Sequence, residues 1–386
     1  MTLSSADMLV SKLQKVGLFI GAAGAFVCLA GFLKDRQAFA VAYLIAFIYW
    51  SGILLGSLSV IMVHNLTGGH WGYPLRGLLG ILAKLMPWLI LFFLPLVYTL
   101  KDLYPWMDPQ IMAQDPLLKE KAFYLNISFF TFRAIFYFFI WTCLAWLATR
   151  DYRVHKRPSW MSLASGLGLV AYTLSITFSS LDWVMSLEPH WNSTISGLIF
   201  AIGQALSGFA FVILLALLLV RKGPLCRVLT PERCQDLGTL VMVFIMLWAY
   251  VSISQFIILW QGNIPETGVW YVKRLKGGWE AVGLALVLLH FAVPFFLLLM
   301  RSIKKSFKAM TAVVSLVLIM RWIDIFWQVK PALSESFRLS GLDLAAVITL
   351  GGFFMALIAY QIKRTPLVLE DDPVLQSPAA SQETTL

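Results

Sequence analysis

The stretch VAYLIAFIYWSGILLGSLSVIMV, residues 41–63, carries no charged side chain along its whole length. As a helix rising 1.5 Å per residue it reaches about 35 Å, enough to cross a hydrocarbon layer about 30 Å thick. Runs of this kind recur, giving ten candidate spans at roughly 16–34, 38–65, 76–100, 122–149, 160–186, 194–221, 237–261, 279–301, 305–327 and 340–362. The composition agrees: 59% hydrophobic, 13% charged, mean hydropathy +0.79. Soluble domains carry about a quarter charged residues. The expectation is an all-α integral membrane protein of about ten transmembrane helices. It would comprise a polytopic domain over 16–362, an N-terminal segment 1–15, and an acidic, Pro/Ser-containing tail over 363–386 that is expected to be disordered.

A net charge of +10 would suggest nucleic acid in a soluble protein. Here Lys and Arg gather in short loops, RDYRVHKR (150–157), the Arg221/Lys222/Arg227/Arg233 loop and RSIKKSFK (301–308), each following an even-numbered span. The positive-inside rule then places both termini in the cytoplasm and the 101–121 loop and the 179–195 stretch outside. YVKRLKGGWE (271–280) is an exception, basic but on the outer side by alternation, where it would meet a partner's acidic surface. Tryptophans at span ends (Trp71, Trp106, Trp160, Trp183, Trp191, Trp260, Trp270, Trp279) read as an interfacial belt.

The four cysteines form no CxxC or Cys/His cluster, which disfavours bound iron–sulfur clusters, c-type haem and structural zinc. No metal site and no covalently bound cofactor are expected.

Ionisable groups at membrane depth cost about 2.5–3.5 kcal/mol each on insertion scales, so each needs a reason. Arg133 is placed near mid-depth, with Asn126 on nearly the same helix face, and needs an acidic partner, carbonyls or water. It is read either as half of a structural ion pair or as a charge tuning a proton or quinone site. SSLDWVMSLEPHWNSTI (179–195) brings Asp182, Glu188 and His190 to the outer face, either as polar caps or as an acid/base relay. Pro189 ends any helix between them. His290 lies mid-span, four residues before Pro294, which leaves the His290 carbonyl without its helical donor. Arg321 and Asp324, at i and i+3, are expected to pair near the outer surface. Tyr250, Ser252, Ser254 and Gln255 form a polar stripe, either helix–helix glue or a channel wall. At the inner side, HNLTGGHWG (64–72) is either a tight hairpin or a proton uptake point, with Lys84 about two turns into the following span.

Together, HNLTGGHWG at 64–72 and SLDWVMSLEPHW at 180–191 resemble the NrfD/polysulfide-reductase type of membrane subunit. The likeness is greatest to the ActF-like subunit, second of its type in bacterial alternative complex III, and it covers nearly the whole chain. The resemblance implies two four-helix bundles, over spans 2–5 and 6–9, with flanking helices. It also implies a bacterial inner-membrane complex that oxidises menaquinol or ubiquinol and hands electrons to a cytochrome or an oxidase. Its partners would be a second NrfD-like subunit, an iron–sulfur subunit and c-type haem subunits carrying the redox centres. Asp182, Glu188 and His190 would then form a proton exit or quinone-site rim, His64 and Lys84 an inner half-path, with His290 and Asp324 as further candidates. A secondary transporter and a purely structural anchor are the alternatives.

Overall fold

In the computed structural model, residues 5–150, 159–220, 224–262 and 265–368 are described. Among them the chain is helical, with no strand. Nine helices are long and apolar enough to cross a membrane, and a bent pair makes a tenth span. The protein is an all-α, multi-pass membrane protein. The basic loop at 151–158, residues 221–223 and the tail beyond 368 lie outside the described residues.

The stretch at 41–63 belongs to α2 (Arg36–Thr67), which follows α1 (Ser5–Lys34) after a single-residue break capped by Asp35, whose Oδ1 accepts from the Ala38 amide at 2.9 Å. Helix α1 starts at Ser5, so most of the expected N-terminal segment is the first turns of the first span. The third span departs from the expectation of one helix. It is α3 (Tyr73–Ala83) and α4 (Trp88–Tyr98), bent by 48°. Pro87 explains the break, because a proline cannot donate back into the preceding turn. Lys84 therefore caps α3 at the bend rather than sitting inside a continuous helix.

The remaining spans are α5 (Ile127–Thr149), α6 (Ser159–Trp183), α7 (Ser196–Leu219) and α8 (Pro231–Gly262). A short α9 (Pro265–Arg274) then precedes the eighth span, α10 (Trp279–Ala285) and α11 (Val293–Leu299) around a π-helical segment Leu286–Ala292. Helices α12 (Phe307–Val329) and α13 (Gly341–Ile362) complete the chain. Helices α2 to α6 form one bundle and α7, α8, α10–α11 and α12 a second, with α1 and α13 as a tightly joined flanking pair.

Helices α2 and α7 are apolar on every side, and such helices belong in a core. They are buried along most of their length and join the two bundles. Their approach needs glycine: a Cβ on Gly56 would lie 1.7 Å from the Gln204 carbonyl oxygen, and one on Gly208 2.3 Å from the Ser57 nitrogen. Lys363 Nζ donates to Gln14 Oε1 at 2.6 Å, so the start of α1 and the end of α13 share one end of the molecule, called here the termini end. At the opposite end, short helices of the 100–123 connection, residues 184–195, α9 and residues 330–340 build a cap over the bundles.

Candidate functional site

At the cap end the residues of SSLDWVMSLEPHWNSTI part company. Asp182, in the last turn of α6 and 1% exposed, receives Arg133 Nε on Oδ2 and Nη2 on Oδ1, each at 2.8 Å, and the Tyr137 hydroxyl on Oδ2 at 2.7 Å. The third guanidinium arm donates to the Tyr124 carbonyl at 2.9 Å, and the Tyr124 ring lies 3.8 Å from the guanidinium carbon. This is the acidic partner that Arg133 required. Its depth is corrected: α5 begins only at Ile127, so Arg133 lies in the second turn, near the cap rather than mid-depth. Asn126 is not on a shared face but is the N-cap of α5, its Oδ1 accepting from Phe129.

Glu188 and His190 do not join Asp182 in a relay. Glu188 accepts from Lys273 at 2.9 Å and from Arg274 at 3.2 Å. His190, on the outside of the cap, faces Asp115 at 2.7 Å. The three residues hold three different elements, α5, α9 and the 109–120 segment, because Pro189 and the 3-10 turn before it send successive side chains in different directions.

Arg274 escaped the sequence reading as a site residue. It is fully buried, lies 3.6 Å from the Trp270 ring, and donates to the carbonyls of Trp270, Trp327 and Gln328 at 2.9, 3.1 and 2.6 Å. Burial pushes its pKa down to about 10, against the pull of Glu188. The basic segment 271–280 is thus met within the chain by Glu188. The tryptophan belt is also corrected. Trp106, Trp183, Trp191, Trp270 and Trp279 are buried in the cap and bundles, whereas Trp160 and Trp260 are exposed.

Beneath α9 lies a cavity of about 290 Å³ between α7, α8, the eighth span and α12. Its wall is apolar and aromatic, with Trp248, Trp270, Tyr271 and Trp327 among the lining residues, and Gln255 and Asp324 as inward polar groups. Trp191 stacks on Trp270 at 4.7 Å and 14°, and Trp327 meets Trp270 edge-on at 5.5 Å. Gln255 receives the Ser193 hydroxyl at 3.0 Å. Of the polar stripe on α8, Ser252 and Gln255 form cavity wall, while Tyr250 points out of the protein, 69% exposed.

Asp324 pairs with Arg321 as the i, i+3 spacing requires and accepts from Trp248 Nε1 at 3.2 Å. The pair is buried among α7, α8 and α12, not at a surface. The Arg321 guanidinium lies across Gly203 of α7, where a Cβ would come within 2.3 Å of it. His290 is fully buried, stands edge-on to the far side of the cavity's Trp248 at 4.3 Å, and neither ring nitrogen has a hydrogen-bond partner. It sits inside the π segment, which ends just before Pro294. The missing donor of Pro294 is accommodated by the wider turn.

At the termini end His64 is buried beneath the Gly68–Gly69 turn, its Nε2 3.2 Å from the Gly69 carbonyl and its ring against Trp71 and Tyr73. Both glycines have positive φ, 69° and 93°. The stretch HNLTGGHWG is thus a close-packed hairpin. The candidates form separate groups: Arg133–Asp182, Glu188–Arg274, His190–Asp115, the His290–Trp248–Asp324 wall, and the His64 turn. Among the described residues no group of three or more His, Cys, Asp and Glu side chains is placed to hold a metal ion. No family model matches the chain, and no curated protein matches it.

Proposed function

We propose that this chain is a membrane subunit of a quinol-oxidising electron-transfer complex and that its cavity beneath α9 receives the quinone headgroup. The observation that carries this reading is the cavity itself: an apolar, aromatic-lined chamber between the spans and α9, with a few polar groups on its wall and a buried histidine behind Trp248. Sites for small apolar ligands have this make-up. Quinol oxidation releases two electrons and two protons. Trp270, Tyr271 and Trp327 would hold the ring, and Gln255 would orient an oxygen. His290, whose ring nitrogens have no hydrogen-bond partner, would take protons, with Asp324 fixed at the wall by Arg321 and Trp248. Electrons pass to redox centres on partner subunits. Asp182 and Glu188, with their oxygens taken up by Arg133, Tyr137, Lys273 and Arg274, hold the cap above the site rather than carry protons.

The test is to purify the tagged chain in mild detergent, identify co-purifying subunits by mass spectrometry, and follow quinol-dependent reduction of their haem. The expected result is a complex with haem and iron–sulfur subunits, in which Tyr271→Leu and Gln255→Leu lower turnover at least about tenfold. A haem-free preparation, or an intact complex whose turnover ignores both substitutions, overturns the proposal.

One observation favours secondary transport as a second reading. Each bundle contains an interrupted span, at Lys84–Pro87 and at Leu286–Ala292, and broken helices mark many transporter sites. A transporter would purify alone or as a homo-oligomer, so the same preparation separates the two.

A further inference from the structure

On the flank away from that cavity, α1 and α13 lie close together through glycines. A Cβ on Gly17 would come 2.7 Å from the Gly352 carbonyl oxygen. Helix α4 does not close onto this pair, and the gap holds two apolar chambers of about 480 and 380 Å³. They share Phe92 and Phe353, whose rings stand 6.1 Å apart. The first chamber lies between Gln14 and Leu18 of α1 and Phe353 to Tyr360 of α13, and the second reaches Phe32 of α1. From position 14 to position 32 of α1 is about 27 Å of helix, close to the hydrocarbon thickness of about 30 Å. Each chamber therefore matches one leaflet, with the Phe92–Phe353 pair as a partition near the middle.

The two mouths differ in charge. At the Phe32 mouth Arg36 lies over the rings of Phe32 and Tyr98, at 5.2 and 5.5 Å, and its charge is met by Asp102 at 3.4 Å. At the Gln14 mouth Lys363 donates only to the neutral Gln14 amide and Arg364 lies 4.3 Å from the centre of the Tyr360 ring. Lys12 and Lys15 are exposed on the same end of α1. Among the described residues no carboxylate pairs with any of these four cations. Trp88, 42% exposed, stands on the rim where an indole favours the headgroup layer.

We propose that the chamber at the termini end is a binding site for an anionic phospholipid. One acyl chain fills the groove between α1, α4 and α13 as far as Phe92 and Phe353, and the phosphate sits between Lys363 and Arg364. These cations, which no carboxylate of the described residues meets, select for an anionic headgroup there, whereas the Arg36–Asp102 pair removes that selection at the other mouth. The lipid closes a seam that protein side chains leave open, and it ties the flanking pair to the first bundle.

The protein, purified with whatever partners accompany it, is exchanged into micelles of equimolar phosphatidylglycerol and phosphatidylcholine, stripped of loose lipid, and its retained lipid quantified by mass spectrometry. The wild type is expected to retain phosphatidylglycerol about tenfold over phosphatidylcholine. Lys363→Gln with Arg364→Gln brings the ratio to parity while lipid is still retained. Leu91→Trp, which fills the groove from its lipid-facing wall, lowers retention of both. Arg36→Gln, at the other mouth, leaves the ratio unchanged. Parity in the wild type, a preference that survives the double substitution, or an equal loss in Arg36→Gln would each mean annular lipid only and overturn the proposal. Among the described residues Lys363 bonds Gln14 and Arg36 pairs with Asp102, so a thermal unfolding midpoint for each variant checks that the fold is kept.

Discussion

Asp182 and Arg133 show how a buried charge pair limits the roles of its members. Both carboxylate oxygens and all three guanidinium arms are committed, and Asp182→Asn would leave Arg133 buried without its counter-charge. Truncating one partner of such a pair costs about 3–5 kcal/mol, whereas replacing both with apolar residues is often neutral. Asp182→Asn is therefore expected to lower stability by that order in urea or SDS titrations, and Arg133→Met with Asp182→Leu to recover most of it. A single substitution that leaves stability untouched would return Asp182 to the list of proton carriers. Arg274→Lys is a sharper case, since an ammonium cannot span three carbonyls, a carboxylate and an indole face at once. It is expected to loosen α9, read as faster proteolysis within 265–278. The sequence made Arg133 legible because a lone guanidinium in an apolar run demands a partner. It left Arg274 illegible, because a Lys/Arg pair in a loop looks solvated until Glu188, far away in the chain, is seen to approach it.

At the scale of elements, ten spans could be read from hydropathy, since each apolar run is longer than the membrane is thick. The interruptions were only half visible. Pro294 signalled a lost hydrogen bond, and the π segment at Leu286–Ala292 is how the backbone absorbs it. Pro87 and the break at Lys84 were hidden within a run whose hydropathy stays high on both sides of that one lysine. Pro294→Ala restores a donor for the His290 carbonyl and should let the eighth span close into a regular α-helix. A stabilisation approaching the roughly 3 kcal/mol cost of an internal proline is the expected limit, together with slower turnover as His290 rotates from its place behind Trp248. Equal turnover would separate the π segment from function. Helices α2 and α7 offer a simpler test. Gly56→Ala puts a methyl group into the Gln204 peptide, whose backbone has nowhere to move, so a loss of about 3 kcal/mol or more is expected in reversible unfolding.

For the whole molecule, two bundles joined by α2 and α7 and capped at one end give a body with an aromatic cavity beneath the cap and an open seam on its flank. The composition foretold the membrane and the approximate span count. It could not foretell that the tryptophans at span ends would fold inward, because belt and buried cap tryptophans occupy the same sequence positions. The basic loops legible in the sequence predict termini in the cytoplasm, and cysteine accessibility at introduced sites near Gln14 and near His190 is expected to report opposite sides. Labelling of both from one side would refute that arrangement. The inward tryptophans have an optical consequence. Trp191 and Trp270 are close and nearly parallel, so their indole transitions should couple and give a split band in near-ultraviolet circular dichroism. Trp191→Phe would abolish that band without touching the cavity's polar groups. A ligand entering beneath α9 would have to change it, and an absorbing ligand would also quench emission from Trp248, Trp270 and Trp327. The molecule therefore carries a built-in spectroscopic reporter of occupancy, readable in detergent, in the absence of any partner and before any turnover assay is devised.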